Sequence, residues 1–208
     1  MKQNTQVKNG KLVLTAKEQS VRCSKDTRQV TSGMVRSKGV EFKPGQGIEY
    51  RVKLTPADPK NQAGLWPALW ASSFGGGGWP LGGEIDFFEV MTAKNPKRAI
   101  FSIHFLNPAG KHDKKQKEVF LDKNFSEDWH TLRFDYGKGG NLVWYMDGEV
   151  VQRVTSANTK QGYPAPFNST IKQLRINLAL GGNPGDLDRR AVRGGATYEV
   201  DYIRIFDL

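Results

Sequence analysis

Three carboxylates interrupt a segment that otherwise has the apolar character of a buried strand, GGEIDFFEV. Glu84 and Asp86 share one face of a regular strand because side chains alternate, whereas Glu89, five positions after Glu84, points to the other face. A carboxylate facing a protein core is costly unless it is paired. One extra residue at Phe87 or Phe88, a β-bulge, would restore the phase and bring all three acids to one face.

Three acids on one face could perform glycoside hydrolysis. Two carboxyl groups about 5–5.5 Å apart across a sugar act as nucleophile and acid/base in a retaining glycosidase. Asp86 lies between two like charges, so it can share a proton with one glutamate and separate the pKa values, which keeps one acid neutral and the other ionised. Spacing alone does not bring Glu84 and Glu89 together, because they lie about 13 Å apart along an ideal strand. An exposed acidic face that meets only solvent or cations is the alternative.

Aromatic residues surround these acids in the sequence. Trp79 precedes Glu84 by five positions in a loop between a glycine and a proline, and GLWPALW places Trp66 and Trp70 around another proline. His104 lies in the β-rich run IFSIHF. Aromatic faces bind the apolar C–H faces of pyranose rings, so the pattern favours a carbohydrate cleft. Trp66 and Trp70 could instead fill the core, and a strand histidine is often purely structural.

The elements that must position these residues are β-strands. Apolar and polar residues alternate at 11–16, 47–54 and 197–206, as they do in half-buried strands. The segment 141–154 consists of two β-rich runs about an Asp-Gly pair, which is typical of an antiparallel hairpin. No apolar run with helical spacing exceeds about two turns. The pattern therefore predicts an all-β sandwich or jelly roll.

Length and composition indicate one folded domain, predicted to span 1–208. The single cysteine, Cys23, excludes an intrachain disulfide and a paired-cysteine zinc site. The net charge of +10 first suggests an anionic partner, but the basic residues are scattered and no nucleic-acid-binding motif is present, so no nucleic-acid partner is expected. No apolar run approaches the about 18 residues of a spanning helix, so no membrane partner is expected. The lysine-rich run 112–117 is predicted to be a solvated loop.

GGEIDFFEV resembles the catalytic signature of glycoside hydrolase family 16, in the bulged Glu-x-Asp-x-x-Glu form of laminarinase-like β-1,3-glucanases, agarases and carrageenases. The resemblance continues, in order and spacing, over nearly the whole chain. Its supporting segments are NGKLVLTA at 9–16, TSGMVRSK at 31–38, 47–54, GLWPALW at 64–70, SIHF at 102–105, DWHTLRFDY at 128–136, VWYMDGEVV at 143–151, INLALGGNPG at 176–185 and VDYIRIF at 200–206. It implies a concanavalin A-like β-jelly roll of two stacked antiparallel sheets, whose concave sheet forms a glycan cleft.

The resemblance also implies roles for individual residues. Glu84 corresponds to the nucleophile, Glu89 to the acid/base and Asp86 to the assisting carboxylate. Five further residues resemble the substrate-binding residues of the family's cleft, and they are Trp79, His104, Arg51, Trp66 and Trp70. Catalysis is expected to require no cofactor. The family's structural calcium would take Asp201 and a carbonyl near Gly45 as ligands, because calcium prefers hard oxygen ligands.

The activity that the resemblance implies is endo-hydrolysis of β-1,3- or mixed-linkage β-1,3(4)-glucan with retention, by a secreted monomer whose leader is absent from this chain. Its partner would be the polysaccharide. The alternatives are an agarase- or carrageenase-type galactan hydrolase and a transglycosylase that uses the same covalent intermediate. A non-catalytic glucan-binding module is less favoured, because binding alone does not need both Glu84 and Glu89, although the fold itself does not decide function.

Overall fold

The computed structural model describes residues 2–74, 76–159 and 166–208, and β-strands dominate this part of the chain. The strands are β1 (Thr5–Lys8), β2 (Lys11–Cys23), β3 (Asp26–Thr31), β4 (Met34–Arg36), β5 (Gln46–Thr55), β6 (Leu65–Ser72), β7 (Glu84–Val90), β8 (Arg98–Leu106), β9 (His112–Phe120), β10 (His130–Tyr136), β11 (Leu142–Met146), β12 (Glu149–Val154), β13 (Arg175–Leu180) and β14 (Ala196–Asp207). Short 3₁₀ helices occur at Lys2–Asn4, Phe125–Glu127, Lys138–Gly140 and Arg189–Val192. Within these ranges, no helix has the length and apolar character needed to cross a membrane.

The strands form two antiparallel sheets. The larger sheet has the order β1-β2-β14-β5-β10-β11-β12, and β3 pairs with β2 to make its eighth strand. The smaller, six-stranded sheet has the order β4-β13-β6-β7-β8-β9. Strands distant in sequence are neighbours in both sheets, as in jelly-roll folds. The predicted all-β architecture of two stacked antiparallel sheets is confirmed.

Local sequence explains why these strands form. In β5, alternate residues from Ile48 to Leu54 are buried, and those between them are partly exposed, as the period of two predicts. The hairpin of β11 and β12 turns at Asp147 and Gly148, whose φ angles of 52° and 90° are the positive values that a two-residue hairpin turn requires. The hairpin predicted for 141–154 is therefore confirmed.

The core lies between the two sheets. Phe87 of β7 packs edge-on against Phe134 of β10 at 4.9 Å between ring centroids, and Phe134 packs in the same way against Trp144 of β11 at 4.7 Å. All three side chains are fully buried and belong to one hydrophobic cluster. Aromatic pairs of this geometry contribute beyond the area that they bury. The six-stranded sheet therefore packs against the larger sheet through a layer of aromatic side chains.

The lysine-rich run 112–117 was predicted as a solvated loop, and that prediction is wrong. These residues begin β9, the edge strand of the six-stranded sheet, which pairs with β8 from His112 opposite Leu106 to Phe120 opposite Arg98. A charged sequence is compatible with an edge strand because much of such a strand meets solvent. The run is largely exposed to solvent, as predicted, but its backbone pairing with β8 was not predicted.

Candidate active site

A β-bulge in β7 turns the third acid toward the same face as the first two. Asp86 lies opposite Ser102 of β8 and Glu89 lies opposite Ile100, so two residues of β7, Phe87 and Phe88, face a single residue of its partner. Both phenylalanines are fully buried. The bulge that the sequence predicted at these positions is confirmed.

The bulge is also anchored from the other sheet. The indole Nε1 of Trp144 in β11 donates a hydrogen bond to the backbone carbonyl of Asp86, at 3.2 Å. A buried carbonyl left without a partner would be costly, and a bulge removes regular ladder partners. Trp144 satisfies the carbonyl at the start of the bulge, which fixes the point where the strand changes phase.

The three acids line one cleft on the outer face of the six-stranded sheet. Its volume is about 630 Å³. An oxygen of Glu84, an oxygen of Asp86 and a ring nitrogen of His104 lie within 4.8 Å of one another. These are also metal-binding residue types, but Asp86 Oδ2 already has two polar neighbours, Ser102 Oγ and His104 Nε2. Besides the three acids, the cleft is lined by Ser32, Gly33, Met34, Trp66, Ala68, Trp70, Asn177, Leu178 and Ala179.

Trp66 and Trp70 project from β6 into this cleft and are half-buried, so they are not core residues. Trp66 Nε1 donates to Glu89 Oε1 at 2.9 Å. Trp70 Nε1 donates to Asn177 Oδ1 at 2.7 Å, and the guanidinium of Arg175 lies over its ring at 4.7 Å from the centroid. Trp66 therefore contacts a predicted catalytic acid directly, whereas Trp70 shapes the cleft beside it.

Trp79 and His104 lie on the side of the acids opposite to Trp66 and Trp70. Trp79 is 53% exposed and hydrogen-bonds to Glu84. His104 is opposite Glu84 in the pairing of β7 with β8, and its Nε2 is 3.3 Å from Asp86 Oδ2. Ser102 Oγ donates to the same Asp86 oxygen at 2.5 Å. The structure thus brings both predicted cleft residues next to the acids.

Burial raises the pKa of all three carboxyl groups, because it penalises their charged forms. The pKa of Glu89 rises to about 8 and that of Glu84 to about 7, and in both residues the negative charge of Asp86 is the second cause. The pKa of Asp86 rises to about 7, although the hydrogen bond from Ser102 opposes the rise. Glu89 therefore retains its proton to the highest pH of the three.

This ordering suits acid/base chemistry near neutral pH. A general acid must hold a proton, while a neighbouring nucleophile must be ionised. Glu84 is assisted toward ionisation by the charge that His104 carries when protonated, by the hydrogen bond from Trp79 and by the positive charge of Arg175, all of which lower its pKa. Trp66 and His104 lower the pKa of Glu89 in the same way, but that pKa remains higher than the pKa of Glu84.

His112 is a site residue that the sequence did not reveal. It is the first residue of β9, and its Nε2 is 2.8 Å from His104 Nδ1. Its ring also lies 4.8 Å from the ring of Trp79, between centroids. The lysine-rich surroundings of His112 concealed it, because the first seven residues of HDKKQKEVF are all polar or charged and show no alternation.

The prediction that Arg51 lines the cleft is wrong. Arg51 lies in β5, in the eight-stranded sheet, where Tyr50 and Val52 point into the core. Alternation therefore points Arg51 away from the core, on the side of the molecule remote from the cleft. There its guanidinium pairs with Asp201 at 3.1 Å and lies over the ring of Trp129 at 4.9 Å.

The predicted calcium ligands do not form one site. Asp201 pairs with Arg51, whereas the carbonyl of Gly45 accepts a hydrogen bond from the backbone of Leu208. Gly45 and Arg51 are about 20 Å apart along the strand direction, because a strand rises about 3.3 Å per residue. Two oxygens on one calcium ion are separated by at most about 5 Å. Asp201 and Gly45 therefore cannot share an ion in this arrangement.

Known proteins with similar sequences include a glucan-cleaving enzyme. A glucan endo-1,3-beta-glucosidase from Cryptopygus antarcticus is 30% identical over an alignment of 153 residues, and the match covers 67% of this chain and 56% of that protein. The chain therefore spans little more than half of that relative's length.

Solved structures match the fold over its full length. The endo-beta-1,3-glucanase from Pyrococcus furiosus has a TM-score of 0.83 and 29% identity, covering 100% of this chain and 78% of that one. The laminarinase catalytic domain from Thermotoga maritima has a TM-score of 0.83 and 28% identity, covering 100% and 82%. The sequence profile of Glycosyl hydrolases family 16 matches residues 1–204. By the extent of that match, the chain belongs to glycosyl hydrolase family 16.

Proposed function

We propose that this protein is a retaining endo-glycoside hydrolase that cleaves β-1,3- or mixed-linkage β-1,3(4)-glucan. The observation with the most weight is the bulged strand β7, which presents Glu84, Asp86 and Glu89 to one tryptophan-lined cleft. Glu84 and Glu89 line the same cleft with Asp86 between them in the strand, and the negative charge of Glu84 adds to the rise in the pKa of Glu89. Two interacting carboxyl groups with different proton affinities are what double displacement requires.

In the first step of the proposed reaction, Glu89 gives its proton to the glycosidic oxygen while the carboxylate of Glu84 attacks the anomeric carbon. The bond to the leaving chain breaks, and an ester bond to Glu84 forms. Asp86, held by Ser102, supplies negative charge beside both glutamates. That charge raises the proton affinity of Glu89 before the reaction, which favours its role as the acid.

In the second step, the Glu89 carboxylate takes a proton from water, and the water oxygen attacks the anomeric carbon. The ester to Glu84 breaks, and the sugar leaves with its original anomeric configuration. Trp66 donates to Glu89 Oε1 and so stabilises the carboxylate that forms when Glu89 gives up its proton in the first step. A sugar acceptor in place of water would give transglycosylation instead.

The choice of β-glucan rests on the names of relatives. The matching proteins from Cryptopygus antarcticus and Pyrococcus furiosus are described as a glucan endo-1,3-beta-glucosidase and an endo-beta-1,3-glucanase. We also propose that the protein acts as a monomer, since all three acids come from one strand of one chain. A polymeric substrate favours action outside the cell.

A substrate panel with product sizing tests this function. Laminarin, lichenan, agarose and κ-carrageenan are incubated side by side with the protein, and the products are separated by size. Early release of mixed oligosaccharides from laminarin or lichenan is the expected result. Cleavage of only a galactan would overturn the β-glucan assignment, and products longer than the starting oligosaccharides at high substrate concentration would identify a transglycosylase.

Replacing Trp66 with Phe is expected to move the alkaline limb of the kcat/KM profile upward by about one pH unit. The indole N–H lowers the pKa of Glu89, so its loss raises that pKa, and the acid remains protonated to higher pH. The limb is measured on a soluble glucan oligosaccharide. Trp70→Phe is the matched control, because Trp70 donates to Asn177 and not to an acid. Equal shifts in the two variants would contradict the assignment of Glu89 as acid.

A further inference from the structure

A line of hydrogen-bonding groups connects the molecular surface to the buried acid Asp86. His112 on the exposed edge strand β9 contacts His104 Nδ1 through its Nε2 at 2.8 Å. The opposite nitrogen of His104, Nε2, is 3.3 Å from Asp86 Oδ2. The two imidazole rings are nearly parallel, at 15°. Both nitrogens of His104 therefore face a specific partner.

A neutral imidazole has one donor nitrogen and one acceptor nitrogen, so the partner at Nδ1 decides what Nε2 can do. If His112 donates to His104 Nδ1, the proton of His104 is on Nε2 and points at Asp86. If His104 donates to His112 instead, Nε2 presents a lone pair, which can accept from a protonated Asp86 or from Ser102 Oγ, 3.4 Å away. Only the first tautomer donates to an ionised Asp86. The contact between the rings is therefore coupled to the charge of Asp86.

Burial disfavours a positive charge on either ring, so the tautomer of the neutral form decides which nitrogen of His104 donates. Burial lowers the pKa of His104 and of His112, and the positive charge of Lys114, opposite His104 in the sheet, lowers both further. The neighbouring carboxylates of the acid strand oppose this effect on His104. The charged or titratable groups that face the two rings are Asp113 and Lys114 on β9 and Glu84, Asp86 and Glu89 on β7.

We propose that His112 is a positioning residue that holds His104 in the Nε2–H tautomer and so favours the ionised form of Asp86. This inference rests on the proposed hydrolase function. Ionised Asp86 raises the proton affinity of Glu89, so His112 acts on the general acid through His104 and Asp86, without touching the substrate. The tilted contact between the rings of Trp79 and His112 keeps the outer histidine in place, because Trp79 is itself hydrogen-bonded to Glu84.

Two substitutions separate the hydrogen bond between His112 and His104 from the ring contact between His112 and Trp79. His112→Phe keeps a flat ring against Trp79 but removes the donor to His104, whereas His112→Gln keeps an N–H donor of similar reach. In His112→Phe, Asp86 holds a proton to higher pH, its repulsion of Glu89 falls, and the alkaline limb of kcat/KM moves downward by about half a pH unit. His112→Gln is expected to keep the limb of the original protein.

Nitrogen NMR of the ring atoms tests the tautomer without any substrate. The chain has three histidines, so variants of His104 and His112 assign the signals directly. We expect His104 to carry its proton on Nε2 in the original protein and to lose that preference in His112→Phe. A proton on Nδ1 in the original protein, or an unchanged tautomer and pH profile in His112→Phe, would overturn the proposal. Absence of glucan cleavage by the original protein would overturn the hydrolase function alone, since the NMR result does not depend on it.

Discussion

Glu84→Ala is expected to lower kcat on a β-1,3-glucan by about 10⁴-fold or more, because the variant cannot form the ester intermediate. Sodium azide should restore part of the turnover. Azide can occupy the space left by the carboxylate and attack the anomeric carbon directly, so the product from a β-linked substrate is an α-glycosyl azide. The rate is measured by reducing-end release, and the anomeric configuration by proton NMR.

Glu89→Ala is the matched variant, and it separates the two roles. Glu84 is intact there, so a substrate with an activated leaving group still forms the intermediate, and azide then attacks in place of water to give a β-glycosyl azide. The opposite configurations in the two variants would identify nucleophile and acid/base independently of pKa. If Glu84→Ala gave the β-azide, Glu84 would not be the nucleophile. Near-normal activity of Glu84→Ala without azide would exclude it from the reaction altogether.

Phe88→Ala is expected to lower the free energy of unfolding by about 3–5 kcal/mol, as large-to-small changes of a buried aromatic residue do. Phe88 is one of the two residues of the bulge and is fully buried. Its ring stacks on Phe125 at 5.7 Å and packs against Tyr50 at 6.0 Å and Tyr198 at 6.1 Å, all between centroids. Urea unfolding followed by tryptophan fluorescence measures the loss.

The matched control for this change is Phe120→Ala. Phe120 ends β9 and is 64% exposed, so its truncation is expected to cost less than about 0.5 kcal/mol. Equal unfolding midpoints for the two variants would contradict the packing of Phe88 in the core. A large loss at Phe88 alone would show that the residues which set the phase of the acid strand also stabilise the fold.

The bulge itself could be predicted from sequence because two requirements conflicted. A regular strand would have directed Glu89 into a core, and burial of an unpaired carboxylate is costly. One inserted residue removes the conflict, and Phe87 and Phe88 are the two apolar residues that lie between Asp86 and Glu89. A contact that no local pattern contains also stabilises the bulge. The indole of Trp144, which is distant in sequence, donates a hydrogen bond to the carbonyl of Asp86.

Arg51 shows the limit of periodicity. Alternation in β5 correctly separates its buried face from its exposed face, but it does not say which sheet contains the strand. That assignment depends on pairing with β14 and β10, which lie far away in sequence. The prediction of Asp201 as a calcium ligand failed for a similar reason. The pairing of β14 with β5 shifts register between Val200 and Tyr202, and Asp201, which lies at this shift, pairs with Arg51.

His112 shows a different limit. Charge patterns report contact with water, and both a loop and an edge strand have such contact. The feature that makes His112 part of the site is the register of β9 against β8, which places it opposite Leu106 and therefore diagonal to His104. Register is fixed by the packing of whole strands and by their turns, so the short run around His112 could not disclose it.

The position of β9 at the end of its sheet has a consequence for aggregation. Its outer edge has no strand partner among the described residues, and an open edge is a template for pairing with another chain. Lys114, Lys115 and Lys117 lie along that edge, so a second copy approaching it would place like charges beside one another. Part of the net charge of +10, which first suggested attraction to an anionic partner, is therefore positioned to repel an identical molecule.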